Sequence, residues 1–220
     1  MANIDLTAQK NAEQWLGSDA IDSLTKASIK DMMQNNIEQF NESFYRNLEF
    51  GTGGLRGIMG IGTNRMNEYT VAMATQGFAN YIIESNPNKE IKAVISFDNR
   101  NNSKEFAQIT ARVMAANGIK VFLFKELRPT PELSYAVRYF GCDAGVMLTA
   151  SHNPKDYNGY KAYWNDGGQL VSPHDTLVIE KVMKITDYSQ VKIQENLDNI
   201  TIIEKSFDDI YLEEVLKLSL

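Results

Sequence analysis

Cysteine is nearly missing from this chain of 220 residues, where Cys142 stands alone. A single thiol excludes an internal disulfide and a cysteine-based metal cluster, and it suits a reducing cytoplasm. Long apolar runs are missing too. No window approaches the roughly 18 uninterrupted apolar residues of a membrane span. The opening residues Met1-Ala2-Asn3-Ile4-Asp5 lack the basic flank and apolar stretch of a signal peptide. Nor is there an excess of positive charge. The 22 basic and 28 acidic residues leave a net −6, and the deficit is not gathered in one run. A general nucleic-acid surface or an anionic-membrane surface is therefore disfavoured. An anionic small substrate is not, because a few placed Arg and Lys side chains decide that locally. The chain reads as cytoplasmic and soluble.

What remains is ordinary globular material, 43% apolar and 23% charged, long enough for one generous α/β domain or a domain with appendages. Residues 1–48 read as a polar helical extension, with Ile21, Leu24, Ile29, Ile37, Phe40 and Phe44 scattered through it. The glycine-rich stretch Phe50 to Asn67, FGTGGLRGIMGIGTNRMN, then breaks the helical pattern and suggests a hairpin or loop.

Helices and strands alternate from there. Val71, Ala74, Phe78, Tyr81 and Ile82 keep helical spacing until Pro87 stops it. Ile91 to Phe97 is a β-rich run. Asn102 with Glu105 three residues on resembles a capping box, and Gly118 closes that helix. Ile119 to Phe124 predicts a second strand, Pro129-Thr130-Pro131 a third helix ending at Gly141, and Ala144 to Thr149 a third strand. Tyr160 to Trp164 predicts a fourth, with Asn158-Gly159 as a tight antiparallel turn before it. Pro173 suits the first turn of another helix, where His174 should be solvated. Strands separated by helices indicate a layered α/β domain with a mixed, mostly parallel sheet over 49–200. The amphipathic tail 201–220 carries no cap signal and is expected to be a helical linker toward a further domain.

Chemistry concentrates in Leu148 to Trp164, LTASHNPKDYNGYKAYW. A buried strand should deliver Ser151 to the carboxyl edge of the sheet, where open α/β sheets bind ligands. His152, Asn153, Asn158 and Lys161 surround it, all able to bind phosphate or move protons. A Ser-His hydrolase is disfavoured. Neighbouring residues of an extended chain point to opposite sides, and the Gly-x-Ser-x-Gly elbow is missing. An ordinary polar loop with a capping serine stays open on residue types alone.

TASHNP followed by DYNGYK resembles the phosphoserine loop of the α-D-phosphohexomutases (phosphoglucomutases and phosphomannomutases). Phe50 to Gly57, FGTGGLRG, resembles the family's first signature, and Asp98-x-Arg100 and Arg128-Pro129-Thr130-Pro131 fall where relatives have similar segments. The YW..GGQ run at Tyr163 to Gln169 and the NRMN at Asn64 to Asn67 resemble the phosphoglucomutase and phosphopentomutase branch. The resemblance implies a three-layer α/β/α domain preceded by an N-terminal helical segment. It also implies that Ser151 exchanges a phosphoryl group with a phosphosugar through a bisphosphate intermediate, with a glucose 1,6-bisphosphate-type activator. By the same resemblance the phosphate on Ser151 is one ligand of Mg²⁺, Arg56 lies near the transferring phosphate, and Thr52, Gly53, Asn153 and Asn158 bind substrate phosphate. Lys161 and His152 match positions that move protons or touch phosphate. Asp98 and Arg100 are expected to be a structural pair. The family's acidic metal loop, sugar loop and Ser/Thr/Gly-rich phosphate loop have no counterpart in these residues. The expected partners are therefore a small phosphosugar and the remaining domains of one polypeptide, with Mg²⁺ shared between them. The competing expectation is a stand-alone phosphosugar-binding module without turnover.

Overall fold

The computed structural model describes residues 3–194, 196 and 198–218. Three short helices come first, α1 (Leu6–Gly17), α2 (Ser23–Asn35) and α3 (Ile37–Phe44), each opened by a capping side chain. Asp5 accepts from Ala8 N–H, Asp22 from Leu24 and Thr25 N–H, and Asn36 from Gln39 N–H. An Asp or Asn at this position satisfies amides that have no partner inside the helix. The helices close on their own cluster of Trp15, Ile29, Met32, Phe40 and Phe44, which Tyr69 ties to the main domain.

Next follow the hairpin strands β1 (Phe50–Gly51) and β2 (Gly54–Ile58), α4 (Glu68–Ser85), β3 (Lys92–Phe97), α5 (Ser103–Ala116) and β4 (Lys120–Phe124). Then come α6 (Thr130–Tyr139), β5 (Ala144–Leu148), β6 (Tyr157–Trp164), α7 (His174–Met183), β7 (Ile200–Ile203) and α8 (Ser206–Leu216). The seven strands form one sheet in the order β1-β2-β6-β5-β3-β4-β7. β3 runs parallel to β4 and β5, and β4 to β7. β6 lies antiparallel to both β5 and β2.

The period of two along each strand divides the core. Ala93, Ile95, Val121, Val146 and Leu148 face α4 and α5 in one cluster. Val94, Phe124 and Met147 face the opposite way, onto Leu133 and Val137 of α6 and Phe207 of α8. Helices on both faces of a mixed sheet make the expected three layers. Cys142 is buried at the end of α6, and burial pushes its thiol up to about 12.

Four local expectations are corrected. Residues 201–203, expected as part of a helical linker, join Ile200 in extending the sheet as β7, and Phe207 of α8 buries itself against α6. Four β-branched residues in a row pair better on an exposed edge than they coil. Asn102 takes a left-handed φ of 61° and makes no side-chain cap, so the box with Glu105 does not form. The box instead belongs to Asn67 and Thr70 at the start of α4. Asn158-Gly159 is no turn but lies within β6, opposite Gly57 and Arg56. The reversal comes earlier, where Tyr157 N–H bonds Pro154 O. His174 is not simply solvated, since Nδ1 lies 2.6 Å from Tyr81 OH and the ring stacks on Trp164.

The join between helical segment and sheet domain centres on Asp22. Its carboxylate accepts from two backbone amides, from Thr25 Oγ1 at 2.6 Å and from Tyr69 OH at 2.5 Å. Those bonds, Thr25's hydroxyl foremost and then Tyr69's, hold its carboxyl well below the ordinary carboxylate range. Burial, with Asp22 beside it, pushes the Tyr69 phenol up to about 12. Folding thus favours ionised Asp22. Its contribution is complete above the ordinary Asp value near 3.8 and is lost as the pH falls below it. Asp22→Ala should cost about 1–2 kcal/mol. Hydrogen exchange should show the loss in the amides of α2, and acidification below pH ~4 should narrow the gap between variant and wild type.

Candidate active site

The loop that leaves β5 at the carboxyl edge of the sheet carries Ser151, with an exposed side chain and a left-handed φ of 56°. That region is costly for a residue with a Cβ, so this backbone is held by its surroundings. Ser151 N–H donates to Thr149 Oγ1 at 3.2 Å, and Asn153 N–H donates to Ala150 O. The left-handed turn also undoes one expectation. Because the chain is not extended here, His152 is not thrown to the far side, and its Nδ1 lies 3.3 Å from Ser151 Oγ. His152 Nδ1 can accept from the hydroxyl when its proton sits on Nε2.

Arg100 lies beneath this loop. Nη1 donates to Pro154 O at 2.9 Å and Tyr157 O at 3.0 Å, while Nη2 donates to Ser151 O at 2.9 Å and Asn153 O at 2.7 Å. Asp98 faces it from the end of β3, 3.5 Å from Nε, and also accepts from Arg100 N–H and Ser103 Oγ. The expected structural pair is therefore real, and its target is the serine loop. The offset Asp-x-Arg at a strand end was the available sequence signal, but which backbone it would grip depended on the fold.

Arg56 and Lys161 arrive from the antiparallel half of the sheet. Arg56 pairs with Gly159 and Lys161 with Gly54, which puts both side chains on one face of neighbouring strands. Arg56 Nη1 reaches across to Asn153 Oδ1 at 3.0 Å, so the first signature and the serine loop meet directly. The glycines facing them permit this. A Cβ on Gly54, whose φ is 134°, would sit 1.7 Å from Tyr160 O, and one on Gly159 would sit 2.6 Å from Thr149 O. Thr52 is exposed at the hairpin tip beside Gly53, whose carbonyl accepts from Ala162 N–H and Gln169 Nε2.

Asn158 does not join them. It is fully buried, and its amide nitrogen bonds Asn101 O and Ser103 Oγ while Oδ1 accepts from Gly159 N–H. Its role is to fasten β6 to the start of α5, and the expected phosphate contact is not open to it. Among the described residues no three or more His, Cys, Asp or Glu side chains converge as a metal-ligand set. At this loop Ser151 can offer one oxygen.

A mixed sheet with helices on both faces and an exposed serine loop at the carboxyl ends of its strands defines an open α/β architecture, in which that edge is the usual place for a ligand. Residues 47–189 match the family model described as phosphoglucomutase/phosphomannomutase, alpha/beta/alpha domain I, and the chain belongs to that family. It is 48% identical over 151 residues to a phosphoglucomutase of Staphylococcus epidermidis, covering 68% of this chain and 27% of that protein. A phosphopentomutase of Mus musculus is 41% identical over 180 residues, covering 78% and 29%. A Staphylococcus aureus phosphoglucomutase is 41% identical over 211 residues, covering 94% and 37%. The chain thus spans 27–37% of the length of these relatives. Among solved structures, the open form of a Paramecium phosphoglucomutase, parafusin, shares the fold at a TM-score of 0.61 and 20% identity, over 79% of this chain and 36% of that one.

The left-handed serine generates a stability prediction independent of any activity. Ser151→Gly removes the Cβ that makes φ of 56° costly, whereas Ser151→Ala keeps it. The glycine variant should melt about 2–4 °C above the alanine variant, the shift expected for about 1 kcal/mol in a chain of this size. Equal melting temperatures by calorimetry would show that the loop holds no such strain.

Proposed function

We propose that this chain is the phosphoryl-carrying domain of a phosphosugar mutase of the glucose 1-phosphate to glucose 6-phosphate type, acting in the cytoplasm as part of a longer polypeptide. The observation that carries the reading is Ser151, exposed at the sheet edge on a fixed loop that Arg56 touches through Asn153. Family membership and kinship to phosphoglucomutases support it.

In this reading Ser151 rests as a phosphoserine. Attack by a sugar-phosphate hydroxyl forms a new O–P bond and breaks the Ser151 Oγ–P bond, giving a sugar bisphosphate. The sugar hydroxyl loses its proton to a base, and Ser151 Oγ takes one up. Reversal with the other phosphate restores the phosphoserine, so a glucose 1,6-bisphosphate-type activator can prime the enzyme. His152, whose Nδ1 lies 3.3 Å from Ser151 Oγ, would exchange that proton. Lys161 and Arg56, on the same sheet face, are suited to neutralise phosphoryl charge, the arginine through two oxygens at once. Catalysis of this type rests on positioning and charge more than on covalent chemistry by the protein. Mg²⁺ would supply further charge neutralisation. This chain would contribute one ligand, the Ser151 phosphate, and an octahedral ion would need the others from elsewhere in the polypeptide and from water.

Incubating the complete mutase with sugar bisphosphate carrying labelled phosphate, then mapping the phosphopeptide, tests the reading. Label should appear on Ser151, and Ser151→Ala should abolish turnover because water cannot replace the shuttle. Lys161→Ala should keep the label but slow transfer by about 10²–10³-fold, the scale of losing one group that stabilises developing charge. Residues 1–220 alone should give background rates. Label on another residue would end the assignment, and turnover by the isolated chain would show that no further domain is needed.

A further inference from the structure

Only 12% of the Arg100 side chain is exposed, and its donors go to backbone carbonyls and to Asp98. The four carbonyl oxygens, from Ser151, Asn153, Pro154 and Tyr157, belong to one short loop and converge on one guanidinium. Carbonyls brought this close repel one another unless a cation lies among them. A lysine could supply the charge. Its three tetrahedral donors cannot span four acceptors in a plane as a guanidinium fork does. Asp98 completes the unit by aiming Nε and by accepting from Arg100 N–H and Ser103 Oγ, so the guanidinium is fixed to β3 and to α5.

One of the four acceptors is the carbonyl of Ser151 itself, at 2.9 Å. Fixing that oxygen fixes the peptide plane that follows Ser151, while Thr149 Oγ1 holds its N–H on the other side. Both peptide planes flanking the serine are thereby pinned, and the left-handed φ of 56° between them has nowhere to relax. Among the described residues the Arg100 guanidinium bonds these four carbonyls and pairs with Asp98, with no hydrogen bond to Ser151 Oγ, Arg56 or Lys161.

From this we infer that Arg100, oriented by Asp98, is a positioning residue for the nucleophile. It holds Ser151 in a strained backbone conformation that presents the hydroxyl, and later its phosphate, at a constant angle, without touching substrate. The kinetic part of this inference rests on Ser151 being the phosphoryl carrier. The conformational part does not.

The two parts are tested separately. In the complete mutase Arg100→Ala should lower kcat by about 10- to 100-fold, the scale of loss from slight misplacement of a reacting group. The KM for sugar phosphate should stay within about twofold, since Arg100 makes no contact that substrate binding would use. Arg100→Lys should recover little of the loss, because it restores the charge without the span. In residues 1–220, Ser151→Gly should raise the melting temperature when Arg100 is present, and that gain should vanish in the Arg100→Lys background, where the loop can relax. Arg100→Lys also serves if Arg100→Ala does not fold. Unchanged kcat, a change confined to KM, or the same melting gain from Ser151→Gly in both backgrounds would overturn the inference. Absence of label on Ser151 in the wild-type mutase would remove the catalytic reading alone and leave the melting comparison to decide the conformational one.

Discussion

The serine loop at the candidate site depends on one largely enclosed cation that gathers its backbone. Arg100 is nearly enclosed, and the four hydrogen bonds its N–H groups donate to carbonyls replace what would otherwise be a set of competing dipoles. Bonds of this kind are stronger than neutral ones and keep their geometry in low-dielectric surroundings. The loop can therefore be both exposed and rigid. Asp98 begins immediately beyond β3, and its own N–H bonds Leu148 O at the end of β5. The clamp is thus mounted on β3 and β5, two neighbouring parallel strands near the middle of the sheet that are buried on both faces.

The other half of the sheet supplies charge. β6 reverses direction after the loop and β2 pairs against it, so a residue from early in the chain, Arg56, comes to lie beside one from much later, Asn153. A wholly parallel sheet would have required a covering helix at that point. The antiparallel pairing leaves the strand face open instead, with small residues opposite Arg56 and Lys161. Order of elements, the direction of one strand and a few glycines together set two cations on one sheet face, and one of them, Arg56, bonds Asn153 of the serine loop.

Most of the architecture was legible in the residues. Apolar runs at Ile91 to Phe97, Ile119 to Phe124 and Ala144 to Thr149 became β3, β4 and β5, and the helical spacing from Glu68 became α4. These segments are long and periodic, so burial alone decides them. The misreadings share a cause, which is that several partners can use the same polar side chain. Asn102 could cap a helix, yet it turned left-handed beside Met59. Asn158-Gly159 had turn chemistry, yet Asn101 and Ser103 drew the asparagine into a strand. The 201–203 run was short enough to pass as helix until an unfilled place beside β4 took it. At the site, motif and spacing pointed to Ser151, Arg56 and Lys161. The nearness of His152 Nδ1 to Ser151 Oγ was hidden because it follows from a dihedral angle that no residue pattern specifies.

Cys142 has a consequence of a different kind. It is the only thiol in the sequence, it is 2% exposed, and burial holds it protonated far above neutral pH. Reagents that attack thiolates find almost none to attack. Residues 1–220 therefore offer a silent background for site-directed spectroscopy. A cysteine introduced on an exposed part of the serine loop, such as at Lys155 or Asp156, would take up a spin label or fluorophore alone, with no need to redesign the core around a substituted Cys142.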